Sequence, residues 1–157
     1  MTIAIPGELV PPFEGAATGN TTIKSTDLLG KYVVLYFYPK DNTPGCTLEG
    51  QAFRDHISDF DKLNTVILGV SRDSVKMHEG FKYKQAFPFE LISDPDETLC
   101  SVFDVIKMKS MYGKQVRGIE RSTFLLDKEG RLVREWRKVK VKGHVEEVLD
   151  AITQLKA

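Results

Sequence analysis

The sequence predicts an α/β fold, a central mixed sheet flanked by helices on both faces, and three observations lead to it. Strand-like and helix-like patterns alternate along the 157 residues, which calls for a sheet with helices packed on it. Two runs, Lys31 to Tyr38 (KYVVLYFY) and Thr65 to Val70 (TVILGV), are apolar on both faces and so read as buried strands. No repeat, low-complexity tract or linker divides the chain, and its length suits one full hydrophobic core, so residues 1–157 are expected to form a single domain.

The elements follow in order. The start is irregular, broken by Pro6, Pro11 and Pro12. After the strand Lys31 to Tyr38 a helix begins near Pro44; Phe53, Ile57 and Phe60 keep helical spacing along it, and Asn64 is its stop. Beyond the strand Thr65 to Val70, the stretch Ser74 to Ala86 reads as a helix that ends before Pro88, and Phe89 to Ile92 as a short strand. Pro95 to Phe103 is a short helix led in by Asp94, and Val105 to Glu120 reads as a polar, glycine-containing connection. Ser122 to Leu126 and Leu132 to Trp136 flank Asp127, Lys128, Glu129 and Gly130, a hairpin with glycine where a positive φ is needed. Val145, Val148, Leu149, Ile152 and Leu155 form the apolar stripe of a closing helix.

Charge and composition exclude several classes of function. With 22 basic and 22 acidic residues the formal charge is zero, which gives no reason to expect a polyanion or an anionic membrane as partner. The local run Arg137, Lys138, Lys140 and Lys142, interleaved with Val139 and Val141, reads as the solvated face of an edge strand. No apolar run has the length of a membrane span, and the N-terminus lacks the order of a secretory signal, so a cytoplasmic protein is expected. Two widely separated cysteines make neither a disulfide framework nor a zinc site, which fits a reducing compartment.

The chemistry centres on Cys46. Thr43 is a plausible N-cap and Pro44 suits the first helical position, which places Cys46 third, on a helix leaving a buried strand. Free backbone N–H groups and the positive end of the helix dipole favour a thiolate there. A nucleophilic thiol also needs a base or a fixed cation. His56 lies ten residues further on, about 15 Å along a single helix, so it is not expected to form a dyad with Cys46. His78 and His144 have polar neighbours and are expected at the surface. The cation is then an arginine, and Arg54, Arg72, Arg117, Arg121, Arg131, Arg134 and Arg137 are equally cationic on composition.

Pro39, Thr43 and Cys46 form a Pro-x-x-x-Thr-x-x-Cys motif within Val33 to Cys46, and the segments Met111 to Lys114 (MYGK) and Gly118 to Leu125 (GIERSTFL) accompany it. On these residues the chain resembles the peroxiredoxins, and within them the peroxiredoxin Q group, also called bacterioferritin comigratory proteins, over Gly7 to about Leu155. The resemblance implies a thioredoxin-like fold with an N-terminal extension, and reduction of hydrogen peroxide or organic hydroperoxides without metal, flavin or haem. It also picks Arg121 as the active-site arginine, with Thr43 helping to stabilise the departing oxygen and Pro39 shielding the thiolate. The sulfenic acid formed at Cys46 must then be reduced by a thiol before it over-oxidises.

The positions where many members carry a resolving cysteine hold Gln51 and Lys82, and Cys100, between Leu99 and Val102, reads as a packing residue. An external reductant is therefore expected, such as thioredoxin, glutaredoxin or glutathione. The alternatives are a non-enzymatic thioredoxin-fold binding or chaperone-like protein, and a disulfide oxidoreductase, which would want a second cysteine where Glu49 stands.

Overall fold

The computed structural model describes residues 3–156; residues 1, 2 and 157 of the expected unit lie outside them. The chain runs β1 (Glu14–Ala17), β2 (Thr21–Lys24), a 3-10 turn (Ser25–Leu28), β3 (Tyr32–Phe37), α1 (Pro44–Asp55), α2 (Ile57–Lys62), β4 (Thr65–Ser71) and α3 (Val75–Gln85). It continues through β5 (Glu90–Ser93), α4 (Thr98–Val102), β6 (Ile106–Met111), β7 (Lys114–Ile119), β8 (Ser122–Leu126), β9 (Leu132–Trp136) and α5 (His144–Lys156). Seven strands make one mixed sheet in the order β2-β1-β5-β4-β3-β8-β9, and β6 with β7 forms a separate two-stranded ribbon.

The sheet explains why β3 is apolar on both faces. It pairs in parallel with β4, Val34 opposite Ile67, and antiparallel with β8, Leu35 opposite Phe124. Alternation then sends Val33, Leu35 and Phe37 to one core with Phe13, Phe103 and Phe124. Val34, Tyr36 and Tyr38 go to the other, with Phe53, Phe60, Phe81 and Val148 from α1, α2, α3 and α5. Each fully buried phenyl ring contributes about 2 kcal/mol of transfer free energy, so both layers are held on the sheet by the same effect. Among the described residues no helix is long and apolar enough to cross a membrane.

Several elements differ from the sequence reading, each for a physical reason. The irregular start contains the hairpin β1–β2, whose four-residue strands are too short to show alternation. Val105 to Glu120 contains the β6–β7 ribbon, exposed on much of both faces and so without an apolar period. The first helix breaks at His56, whose φ of −104° and ψ of 10° leave the helical region, although Phe53 and Phe60 still reach one core. The run Arg137 to Lys142 follows the edge strand β9 as irregular chain and is not itself a strand. Its Val139 amide donates to the Arg121 carbonyl at 3.0 Å.

His78 and His144 are both buried, against the expectation that they lie at the surface. His78 Nδ1 faces Asp41 Oδ2 at 2.7 Å and its Nε2 faces the Ile92 carbonyl at 3.0 Å. The partner that makes this burial tolerable lies on another element, which neighbouring residues do not reveal. Removing one partner of a buried hydrogen bond leaves the other polar atom unsatisfied. His78→Ala is therefore expected to lower the unfolding free energy by about 1–3 kcal/mol in a denaturant titration, and a loss under about 0.5 kcal/mol would show that Asp41 does not depend on it.

Candidate active site

The strand β3 ends inside the sheet, and the chain reaches α1 through a loop tied down at Asp41. The Tyr38 hydroxyl donates to Asp41 Oδ1 at 2.7 Å, and the Asp41 amide donates to the Asp73 carboxylate at 2.9 Å. His78 completes the clamp from α3. Asn42 takes φ 64°, a left-handed turn that asparagine tolerates, and directs the chain into the helix. Asp41, Asp73 and His78 bring one ligand atom each within 4.8 Å. Those atoms are engaged with one another, with Ile92 and with the loop amide, so the cluster works as a clamp.

Thr43 takes the N-cap position and Pro44 the first helical one, as the sequence predicts. The Thr43 side chain makes no capping bond, and its hydroxyl donates to the Lys40 carbonyl at 2.8 Å. The first-turn amides of Gly45 and Cys46 consequently keep neither an intrahelical nor a capping partner. Cys46 is 2% exposed, and Pro39 is half-buried in the preceding loop.

Arg121 links the two halves of the site. The register of β3 and β8 sets Ser122 opposite Phe37, which brings the start of β8 beside the loop. Arg121 Nη2 then lies 3.5 Å from Cys46 Sγ, while its Nη1 donates to Glu49 Oε1 at 2.7 Å. Glu49 follows Cys46 by three residues, so the carboxylate and the thiol share one face of α1 and one guanidinium spans both. A Cβ at Gly45 would lie 3.0 Å from Arg121 Nη2, so a side chain there would crowd the guanidinium. The sequence reading uses Glu49 only as the place where a second cysteine is missing and gives it no role in the site, although its i,i+3 spacing from Cys46 is legible.

Burial shapes the charges here. It pushes the Glu49 carboxyl up to about 7, against the opposing pull of Arg121. Burial works against the charge of Arg121 as well, but Glu49 and Cys46 beside it outweigh that and hold its pKa above the usual value. The Tyr36 hydroxyl and Glu49 Oε2 are buried without hydrogen-bond partners, and burial, then the nearness of Glu49 and Cys46, holds the phenol well above its ordinary range. His144 meets Thr123 Oγ1 at 2.7 Å, and burial followed by the charge of Arg121 depresses it to about 4. His56 Nδ1 faces the Ala52 carbonyl at 2.9 Å, so no histidine among the described residues is hydrogen-bonded to Cys46.

The other sulfur and the two expected resolving positions lie in different surroundings. Cys100 is buried, its amide donates to Asp94 Oδ2 at 2.8 Å, and burial and then Asp94 push its thiol well up. Gln51 Nε2 donates to Gln85 Oε1 at 2.9 Å. Lys82 pairs with Glu90, which also accepts from Thr18 Oγ1 at 2.7 Å.

The AhpC/TSA family matches residues 6–135. Peroxiredoxin Bcp of Xanthomonas campestris is 63% identical over 135 residues, 86% of this chain and 84% of the relative, and that of Bacillus subtilis is 52% identical over 155 residues, 99% of this chain and 98% of the relative. The chain belongs to the peroxiredoxins of the AhpC/TSA family. Among solved structures, a cysteine-to-serine variant of Xylella fastidiosa PrxQ superposes with a TM-score of 0.94 at 45% identity, covering 100% of both chains. The bacterioferritin comigratory protein of Xanthomonas campestris, studied for alkyl peroxide reduction, superposes with a TM-score of 0.88 at 54% identity over 92% of each chain. This peroxiredoxin has the thioredoxin-like fold and is a thiol-dependent peroxidase, so a peroxide is its substrate and a reductant completes its cycle. That sets aside the non-enzymatic and chaperone-like alternative.

The raised Glu49 carboxyl gives this peroxiredoxin a pH signature. A group that binds its proton more tightly when folded contributes stability that is fully present below about 4.5 and is lost as pH rises toward about 7. Thermal melts of the wild type and Glu49→Gln should therefore diverge across that window, the variant gaining relative to the wild type as pH rises. Parallel curves would show that the Glu49 proton is bound equally in both states.

Proposed function

We propose that Cys46 is the nucleophile that reduces hydrogen peroxide or organic hydroperoxides, with Arg121, Thr43 and Pro39 completing the site and an external thiol resolving the product. The observation that carries this reading is the guanidinium held between Glu49 and Cys46, a fixed cation at 3.5 Å from the sulfur. The Cys46 thiolate attacks the terminal oxygen of R–O–O–H. A sulfur–oxygen bond forms, the O–O bond breaks, and the departing alkoxide takes up a proton to leave as R–OH. Arg121 and the open first-turn amides supply donors for the charge that develops on oxygen. Thr43, with its proton committed to the Lys40 carbonyl, offers lone pairs, so it would hold the proton of the incoming hydroperoxide. Pro39 limits bulk water at the sulfur.

The sulfenic acid left on Cys46 condenses with an external thiol to a mixed disulfide and water, and a second thiol releases Cys46. The burial of Cys100 and the residues at positions 51 and 82 support an outside thiol. Thioredoxin, glutaredoxin and glutathione are the candidate reductants. Two free cysteines suit a reducing compartment, and we place the cycle in the cytoplasm.

Two measurements test this. In stopped-flow assays with hydrogen peroxide, Cys46→Ser should lose turnover while keeping its far-UV spectrum, and Arg121→Lys should slow the second-order step by about 10²-fold. Full activity in either variant would move the chemistry elsewhere. In the second, Cys100→Ser should keep turnover with an added thiol, and one equivalent of peroxide without reductant should leave a sulfenic acid that dimedone traps. An intramolecular Cys46 to Cys100 disulfide, with loss of turnover in Cys100→Ser, would make Cys100 the resolving residue.

A further inference from the structure

The chain carries equal numbers of basic and acidic residues, yet the two segments attached to the Arg121 strand end have a strong bias. Residues 105–119, which form the β6–β7 ribbon and its ends, contain Lys107, Lys109, Lys114 and Arg117 and no acid. Residues 137–143 contain Arg137, Lys138, Lys140 and Lys142 and again no acid. Both segments are fastened to the stretch that carries Arg121. Lys109 Nζ donates to the Ile119 carbonyl from one side, and the Val139 amide donates to the Arg121 carbonyl at 3.0 Å from the other.

Three of these cations are matched by carboxylates: Arg117 by Glu97, Lys107 by Asp104, and Arg137 by Glu135. Lys109, Lys114, Lys138, Lys140 and Lys142 have no carboxylate partner among the described residues, and the last four are exposed. Glu120, Asp127, Glu129 and Glu135 lie between the two segments in sequence, and Glu135 is the one already paired with Arg137. Lys109 lies close enough to Arg121 for the two cations to repel, which follows burial as a cause of its lowered pKa. The two segments fastened on either side of Arg121 thus form a positively charged rim with few matched counter-ions.

We infer that this rim recruits the reductant, and that the thiol it fits is a small one bearing carboxylates. The inference rests on the outside-thiol reading above. Unlike charges at such a rim raise the local concentration of an anion and its encounter rate, by roughly 10 to 10³-fold at low salt. Small size follows from the 2% exposure of Cys46, which leaves little of the residue for a broad protein surface to meet. The step itself is balanced: Cys46–SOH and R–SH give Cys46–S–S–R and water, and a second R–SH releases R–S–S–R and the Cys46 thiol.

The test uses the full-length protein converted to its sulfenic acid with one equivalent of peroxide. The decay of the sulfenic acid is then followed by dimedone competition with 3-mercaptopropionate, 2-mercaptoethanol and cysteamine, an anionic, a neutral and a cationic thiol, each rate corrected for thiolate fraction. The anionic thiol should react about tenfold faster than the neutral one, the cationic one slower still, and the spread should collapse near 1 M salt. A Lys138→Glu, Lys140→Glu double variant should erase or invert that order while forming the sulfenic acid at the wild-type rate. Corrected rates with no order by charge would overturn the inference. So would a protein dithiol that outpaces all three thiols and is unaffected by the two substitutions. Failure to form any sulfenic acid would instead strike at the Cys46 reading, so the two ideas fail separately.

Discussion

The site depends on the bridge from Arg121 to Glu49 and Cys46. An intact buried ion pair adds little net stability, because desolvation of both charges offsets their attraction, whereas removing one member leaves the other exposed to the full penalty. The consequence is geometric: a guanidinium fixed by Glu49 has few other orientations and presents its second edge to the sulfur. That placement depends in turn on the β3–β8 register, in which Ser122 faces Phe37. A slip of one residue would turn Arg121 to the other face of the sheet and leave Glu49 unpaired in the core.

Much of this was legible in the sequence, and the limits follow from which signals are local. The strand before Cys46, the Thr43 and Pro44 lead-in, the turn at Gly130 with φ 85° and the stripe of α5 all depend on neighbours within a few residues. Arg121 stood out only through family resemblance, since nothing in its own surroundings separates it from six other arginines. His78 misled because its partner Asp41 lies 37 residues away, and a buried polar pair cannot be read from one member. The β6–β7 ribbon escaped because a two-stranded element with both faces wet carries no apolar alternation.

The helix start shows local stability yielding to a free donor set. An N-cap hydroxyl on the first-turn amides is worth about 1 kcal/mol to a helix. Thr43 stands at that position without capping, its hydroxyl donating to the Lys40 carbonyl, and the amides of Gly45 and Cys46 stay open toward whatever occupies the site. The clamp at Asp41, with bonds to Tyr38, Asp73 and His78, secures the same loop without those amides.

The break at His56 has a mechanical consequence. An unbroken helix from Pro44 to Lys62 would be a rod about 28 Å long, and bending or fraying at its far end would reach the first turn through a single ladder of bonds. Here the ladder stops: His56 turns its amide and its ring nitrogen onto the carbonyls of Phe53 and Ala52, and α2 restarts with its own anchor, Phe60. The two pieces can therefore open as separate cooperative units. Amide hydrogens of Ile57–Lys62 would then exchange with solvent ahead of those of the preceding piece, and the contact left between the two is the packing of Phe53 on Phe60 rather than a continuous ladder of bonds.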